Sequence, residues 1–165
     1  MVRIRPAIPG DGATILALIR GLADYEHLSH EVVATESLIN SALFDTPPSA
    51  MALLAEEDGR GVGFALYFFN FSTFLGRPGL YLEDLFVLPE QRGRGVGTAL
   101  LIELARIAVA KGCGRMEWSV LDWNEPSIAF YKSLGALPLA DWTTYRLTGE
   151  TLTRLARKSS MTQSS

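Results

Sequence analysis

The sequence predicts one α/β domain, of the α+β kind, built on a mixed β-sheet flanked by helices. Three observations lead there. Short apolar runs alternate with segments of helical periodicity along a chain of 165 residues, the pattern of a layered domain around one core. A hairpin signature precedes a strand–helix–strand crossover, so antiparallel and parallel pairing must share one sheet. With 48% hydrophobic and 20% charged residues, the composition is that of a globular protein, and the length suffices for one buried core.

The elements follow in order. Val2 to Arg5 alternates apolar and charged residues and reads as a short strand. Pro6 to Gly10 breaks it. Asp11 is placed to cap a helix whose apolar residues Ile15, Leu18, Ile19 and Leu22 recur at i, i+3, i+4 and i+7. A second helix covers about Thr35 to Phe44 and ends at Thr46-Pro47-Pro48-Ser49. Met51 to Ala55 and Val62 to Phe71 are apolar runs separated by a polar segment containing Asp58-Gly59, the signature of a hairpin. Ser72 to Gly79 reads as a loop, and Leu80 to Leu88 as a strand stopped by Pro89. Gly95 to Ala110 is a long helix with Leu101, Leu104, Ala105 and Ala108 on its inner face, closed by Lys111 and Gly112. Met116 to Leu121 is a strand. Asn124 to Leu134 is a helix with Pro126 in its first turn and Gly135 just beyond it. Thr144 to Leu147 is a last strand and Thr151 to Arg157 a last helical segment. The expected domain is 1–157, followed by a polar, disordered tail over 158–165.

Several function classes are disfavoured at this level. A net charge of −3, with no basic stripe, argues against a nucleic-acid partner. Cys113, the one cysteine, cannot form a disulfide within its own chain, and nothing near it in sequence would activate it as a nucleophile. His27 and His30 lack a Cys or His pair elsewhere to complete a metal set, so no metal is expected. The residues Met1-Val2-Arg3-Ile4-Arg5 show no signal-peptide core, and no apolar stretch reaches the length of a membrane span. The expected location is the cytoplasm.

The segment Leu80 to Thr98 carries the most chemical information. It joins a strand, a glycine-rich turn (Gly93, Gly95, Gly97) and the start of a helix. Glycines let a backbone approach an anion closely. The unpaired N–H groups and the dipole at a helix start favour that anion, and Arg92 and Arg94 add positive charge. Phosphate or pyrophosphate binding is one reading; a tight connection in a compact α/β protein is the other. No Lys follows Gly97, so this is not a P-loop, and Thr98 stands where a dinucleotide fingerprint has its last glycine.

Arg92-Gly93-Arg94-Gly95-Val96-Gly97 resembles the Arg/Gln-x-x-Gly-x-Gly/Ala motif of the GNAT-type N-acetyltransferases, in which it cradles the pyrophosphate of acetyl-CoA. Asn124-Glu125-Pro126-Ser127-Ile128-Ala129-Phe130-Tyr131-Lys132 is similar to that family's second cofactor segment, and Arg5-Pro6-Ala7 with Asp11 to its opening. Leu22-Ala23-Asp24-Tyr25-Glu26 and Tyr81-Leu82-Glu83-Asp84 resemble its diamine (spermidine/spermine) and thialysine branch. The likeness runs from about residue 3 to residue 155. It implies a centrally splayed sheet, acetyl-CoA as donor, and a homodimer whose subunits share the acceptor cleft.

Acetyl transfer to an amine needs a deprotonated nitrogen, because an alkylammonium with a pKa near ~10.4 has no free lone pair. It also needs a polarised carbonyl, attack geometry and a protonated leaving thiolate. The resemblance implies that Glu83 accepts the amine's proton, directly or through water; a salt bridge at a strand end is the alternative. Asp84 either supplies substrate-site charge or is paired structurally. Strand alternation puts these two carboxylates on opposite faces.

The family's pattern gives the remaining sites. The cofactor runs along Leu85, Phe86 and Val87, where a backbone N–H of Phe86 or Val87 polarises the carbonyl. It is held by residues 92–98 and by Asn124, Pro126 and Ser127, with Lys132 reaching either phosphate or solvent. Tyr131 protonates the departing sulfur, unless it is a core tyrosine. Tyr25 and Glu26 line the acceptor site or form a solvated helix end, and Glu117 and Ser119 are further candidates for that wall.

Polyamine-specific members carry an extra acid in the loop where this chain has Thr73. One anchor for a distal ammonium is therefore absent, which favours a lysine-like or other short amine. Two rivals remain: a non-catalytic acyl-CoA sensor of the same fold, and a dinucleotide-binding protein.

Overall fold

The structure, a computed structural model, describes residues 1–159; most of the tail expected over 158–165 lies outside the described residues. The chain divides into two compact units, Met1 to Ser119 and Val120 onward.

The first unit holds a five-stranded sheet. Its strands are β1 (Arg3–Pro6), β2 (Met51–Glu57), β3 (Arg60–Ser72), β4 (Arg77–Val87) and β5 (Arg115–Trp118), and they lie in sequence order. β1 to β4 pair antiparallel and β5 joins β4 in parallel, so the mixed sheet is as expected. The helices of this unit are α1 (Gly12–Tyr25), α2 (Glu36–Phe44) and α3 (Val96–Ala110). The β2–β3 hairpin turns at Asp58 and Gly59, both with positive φ, as an Asp-Gly pair between apolar runs should.

Both faces of the sheet are covered. Leu54, Phe64 and Phe86 stand in register across three strands and bury themselves with Ile15 and Leu18 of α1 and Leu43 of α2. The neighbouring register line, Leu53, Ala65 and Leu85, faces the other way. α3 packs on that side: Leu100 and Leu104 are fully buried, and Lys111 at its end stands 5.5 Å from the Phe69 ring. Each such apolar side chain contributes about 1.5–3 kcal/mol of burial.

Asp11 is the N-cap residue of α1, as expected, without a side-chain cap bond. Its carboxylate instead takes both guanidinium nitrogens of Arg5 (2.7 and 3.0 Å) and the Ile8 N–H, because a bidentate contact between two charged groups outweighs a single backbone N–H at the helix start. The loop expected over Ser72 to Gly79 shrinks to residues 73–76, since β3–β4 pairing continues to Ser72 and Arg77. On α3, Ala105 is exposed and Leu100 takes the inner place. The strand expected over Met116 to Leu121 stops at Trp118.

The second unit contains α4 (Glu125–Ser133) and α5 (Gly149–Ala156). The strand expected over Thr144 to Leu147 does not form. Its residues have strand propensity but no ladder partner among the described residues, and propensity without pairing does not make a strand.

Candidate active site

The glycine-rich turn joins β4 to α3. Gly93 (φ 75°) and Gly95 (φ 81°) both take the left-handed conformation, which side-chain-bearing residues adopt only with strain. Gly95 is the N-cap of α3. It brings no side chain to the helix end, and the first turn holds no acid. The amides of Val96, Gly97 and Thr98 therefore lie at an uncapped, positively polarised helix start, as an anion site requires.

The two arginines of the turn are not spare charges. Arg94 pairs with Glu57 at 2.9 Å and also hydrogen-bonds Gln91, and Arg94 holds the Glu57 carboxyl below its usual range. Arg92 lies with its guanidinium carbon 4.6 Å from the Tyr25 ring centre and 5.5 Å from that of Phe86. Its Nε donates to the Val87 carbonyl at 3.1 Å.

Next to this turn, β4 loses one neighbour. Its pairing with β5 runs from Gly79 to Leu82 and stops at Trp118, so among the described residues no strand pairs with 83–87 on that side and their edge is open. The Leu88 N–H donates to the Val62 carbonyl. Antiparallel bonding alternates along a strand, so the amide of Phe86 faces β3 and that of Val87 faces the open edge. The Phe86 side chain is also buried in the α1/α2 core. Of the two amides considered for a carbonyl, only Val87 is suitably turned.

At the same point β4 carries a bulge. Leu66 pairs with Asp84 and Tyr67 with Leu82, so Glu83 is an extra residue. Leu82 and Leu85 lie on the α3 face, and the bulge turns both intervening carboxylates toward the α1/α2 face. This corrects the expectation that Glu83 and Asp84 point to opposite faces: alternation fails across a bulge. Glu83 is exposed and Asp84 partly buried. Burial, then the charges of Glu83 and Glu26, push the Asp84 carboxyl up to about 6. Burial alone raises Glu26.

The remaining acceptor-side candidates gather on this face. Glu117 is in register with Tyr81, and the Tyr81 hydroxyl lies 3.0 Å from Ser119 Oγ. Glu117 is paired with Arg115 at 2.9 Å, so its charge is compensated. Tyr25 and Glu26 end α1. Tyr81 was not singled out from the sequence, although it stands two residues before Glu83 on a strand and so shares its face; that spacing was the available signal.

In the second unit, Asn124 is buried and caps α4, its Oδ1 accepting from the Ser127 N–H at 3.4 Å. Pro126 lies in the first turn and Lys132 is exposed in the last. Tyr131 is partly buried, its ring centre 5.6 Å from that of Phe130.

The chain as a whole is similar to known proteins. The model of the acetyltransferase (GNAT) family matches residues 17–136. The chain is 40% identical to the thialysine N-epsilon-acetyltransferase of Bos taurus, over 95% of this chain and 98% of that protein. It is 33% identical to the L-ornithine N5-acetyltransferase of Arabidopsis thaliana, over 91% of this chain and 86% of that one. Among solved structures, an integron cassette protein from the mobile metagenome of V. cholerae superposes with a TM-score of 0.79 at 28% identity, covering 95% of this chain and 98% of the other.

Proposed function

From the premise that the chain belongs to the GNAT family of acetyltransferases and is an N-acetyltransferase of amines, we propose that it acetylates the primary amine of a short, lysine-like cation with acetyl-CoA as donor. One observation carries the choice of acceptor: the bulge sets Glu83 and Asp84 on one face, within electrostatic reach of Glu26. Three carboxyls gathered beside an open strand edge suit a small ammonium. The relative at 40% identity is named for thialysine acetylation, which supports a lysine-like acceptor.

The residues divide the work. Asp84 and Glu26 draw the ammonium in, with Tyr25, Tyr81 and Ser119 as the wall. Glu83, being exposed, takes the ammonium proton directly or through water, which frees the lone pair for attack. The Val87 N–H on the open edge donates to the acetyl oxygen as charge develops there. The uncapped amides of residues 96–98 fit a diphosphate, and Gly93 and Gly95 keep the approach to them free of side chains. Bound acetyl-CoA supplies the activated acetyl thioester. Asn124, Pro126, Ser127 and Lys132 would hold its remainder, and Tyr131 would be the proton donor for the leaving thiolate.

The same proposal includes a cytoplasmic homodimer. Phe71, Phe74 and Leu75 at the β3–β4 turn are 60%, 101% and 54% exposed, apolar surface of the kind that self-association covers. Among the described residues no helix is long and apolar enough to cross a membrane.

The test is a panel of lysine analogues, ornithine, amino acids and polyamines with acetyl-CoA, read by free-thiol release. Highest kcat/KM on lysine-like amines supports the proposal. Preference for spermidine overturns the acceptor assignment, and cofactor binding without thiol release overturns the reaction.

A further inference from the structure

We propose that Arg92 is a positioning residue that ties the acceptor wall to the donor strand, rather than a ligand of the cofactor's phosphates; this rests on the acetyltransferase reading above. The side chain makes three contacts on two elements of the first unit, one on α1 and two on β4. Its guanidinium lies against the ring of Tyr25, the last residue of α1. It lies against the ring of Phe86, buried in the α1/α2 core. Its Nε holds the carbonyl of Val87, the residue whose N–H faces the open edge.

These contacts use what only arginine offers. The guanidinium is flat, so it lies against aromatic rings while donating within its own plane. Lysine would keep the charge and lose the plane. α1 has no basic residue in its last turn, and Arg92 brings a cation against the side chain of its last residue. The sequence distance from Tyr25 to Arg92 is bridged at one point, where the acceptor wall, the open strand edge and the start of the glycine turn meet. Loosening that point changes where the amine sits relative to the Val87 amide. It leaves the uncapped amides of residues 96–98 in place, because α3 is anchored separately by Leu100 and Leu104.

The two roles separate by donor. Arg92→Met, Arg92→Lys, Tyr25→Leu and the double variant Arg92→Met/Tyr25→Leu are assayed with acetyl-CoA and with acetyl-pantetheine, which lacks the diphosphate. Positioning predicts that Arg92→Met raises the acceptor KM roughly 3- to 30-fold, the range such cation–ring contacts supply, and does so equally with either donor. Arg92→Lys is nearly as impaired, and the double variant falls short of the product of the two single effects, since both singles break the contact between residues 92 and 25. A deficit confined to acetyl-CoA and rescued by Arg92→Lys overturns the proposal and makes Arg92 a phosphate ligand. Strictly multiplicative single effects also overturn it. The same four proteins are unfolded in urea: coupling between residues 92 and 25 is expected whatever the turnover, and its absence refutes the contact. If the unaltered enzyme acetylates no amine with either donor, the acetyltransferase reading fails, and the urea cycle still decides the role of Arg92.

Discussion

Glu83 and Asp84 stand side by side on one face of the sheet because β4 carries one residue more than β3 between Leu82 and Asp84. Two adjacent acids in a regular strand would point apart and scarcely interact. Here burial, with the neighbouring Glu83 charge added to it, pushes the Asp84 carboxyl up to about 6. In the proposed reaction Asp84 attracts the ammonium and Glu83, the exposed member, takes its proton.

That arrangement has a stability signature. The folded-state pKa of Asp84 lies above the ordinary carboxyl value of ~3.9, so between about 6 and 4 the folded chain takes up a proton that the unfolded chain does not. The contribution of Asp84 to stability thus rises as pH falls through 6 and levels off below about 4. Asp84→Asn is expected to stabilise the protein by about 1–3 kcal/mol at pH 8 and by nearly nothing at pH 4. Urea unfolding of both proteins across pH 4–8 checks this. The same variant should raise the acceptor KM, because its gain in stability comes from removing the charge the ammonium seeks.

Glu83→Gln should lower kcat/KM at pH 7 by about 10²-fold, the usual scale of a general base. The deficit should narrow toward pH 10, where the amine loses its proton unaided. Removing the Glu83 charge also removes one cause of the raised Asp84 carboxyl. The acidic limb of the pH–rate profile should then move to lower pH. A deficit independent of pH would make Glu83 a structural residue.

Much of this fold was legible because its signals are local. Period 3.6 placed α1, the Asp58-Gly59 pair placed the β2–β3 turn, and Thr35 and Asn124 cap the helices they precede. What escaped depends on partners far away in sequence. The bulge at Glu83 exists only against β3. The lengths of β3 and β4 are set by their mutual pairing, and residues 144–147 lacked a partner to become a strand. The choice of Val87 over Phe86 needed the parity of the ladder. Arg92 sits inside a motif that suggests phosphate, yet its contacts with Tyr25 and Phe86 come from elements with no local trace in the motif.

The glycines of the turn are not equivalent, and substitution should separate them. Gly95 needs φ 81° to start α3, so Gly95→Ala meets a left-handed strain of about 1–2 kcal/mol at the anion-facing helix start. Gly97 is already helical, and a Cβ there would meet only Val87 Cγ2, at 3.9 Å. Calorimetry with CoA is expected to give a loss of about tenfold or more for Gly95→Ala and little change for Gly97→Ala. Equal losses at both positions would mean that crowding rather than backbone conformation governs the site.

Tyr131 is the residue whose role depends most on chemistry. A thiolate leaves well when it is protonated or intrinsically stable, so a general acid matters in proportion to the basicity of the leaving thiol. Tyr131→Phe keeps the ring and its packing on Phe130 and deletes the hydroxyl that would donate the proton. With acetyl-CoA its kcat should fall by about 10²-fold while CoA affinity stays within about threefold. With an acetyl thioester of an acidic aryl thiol the deficit should shrink, because that leaving group departs without help. A loss of the same size with both donors would remove Tyr131 from proton transfer and leave it a packing residue of α4.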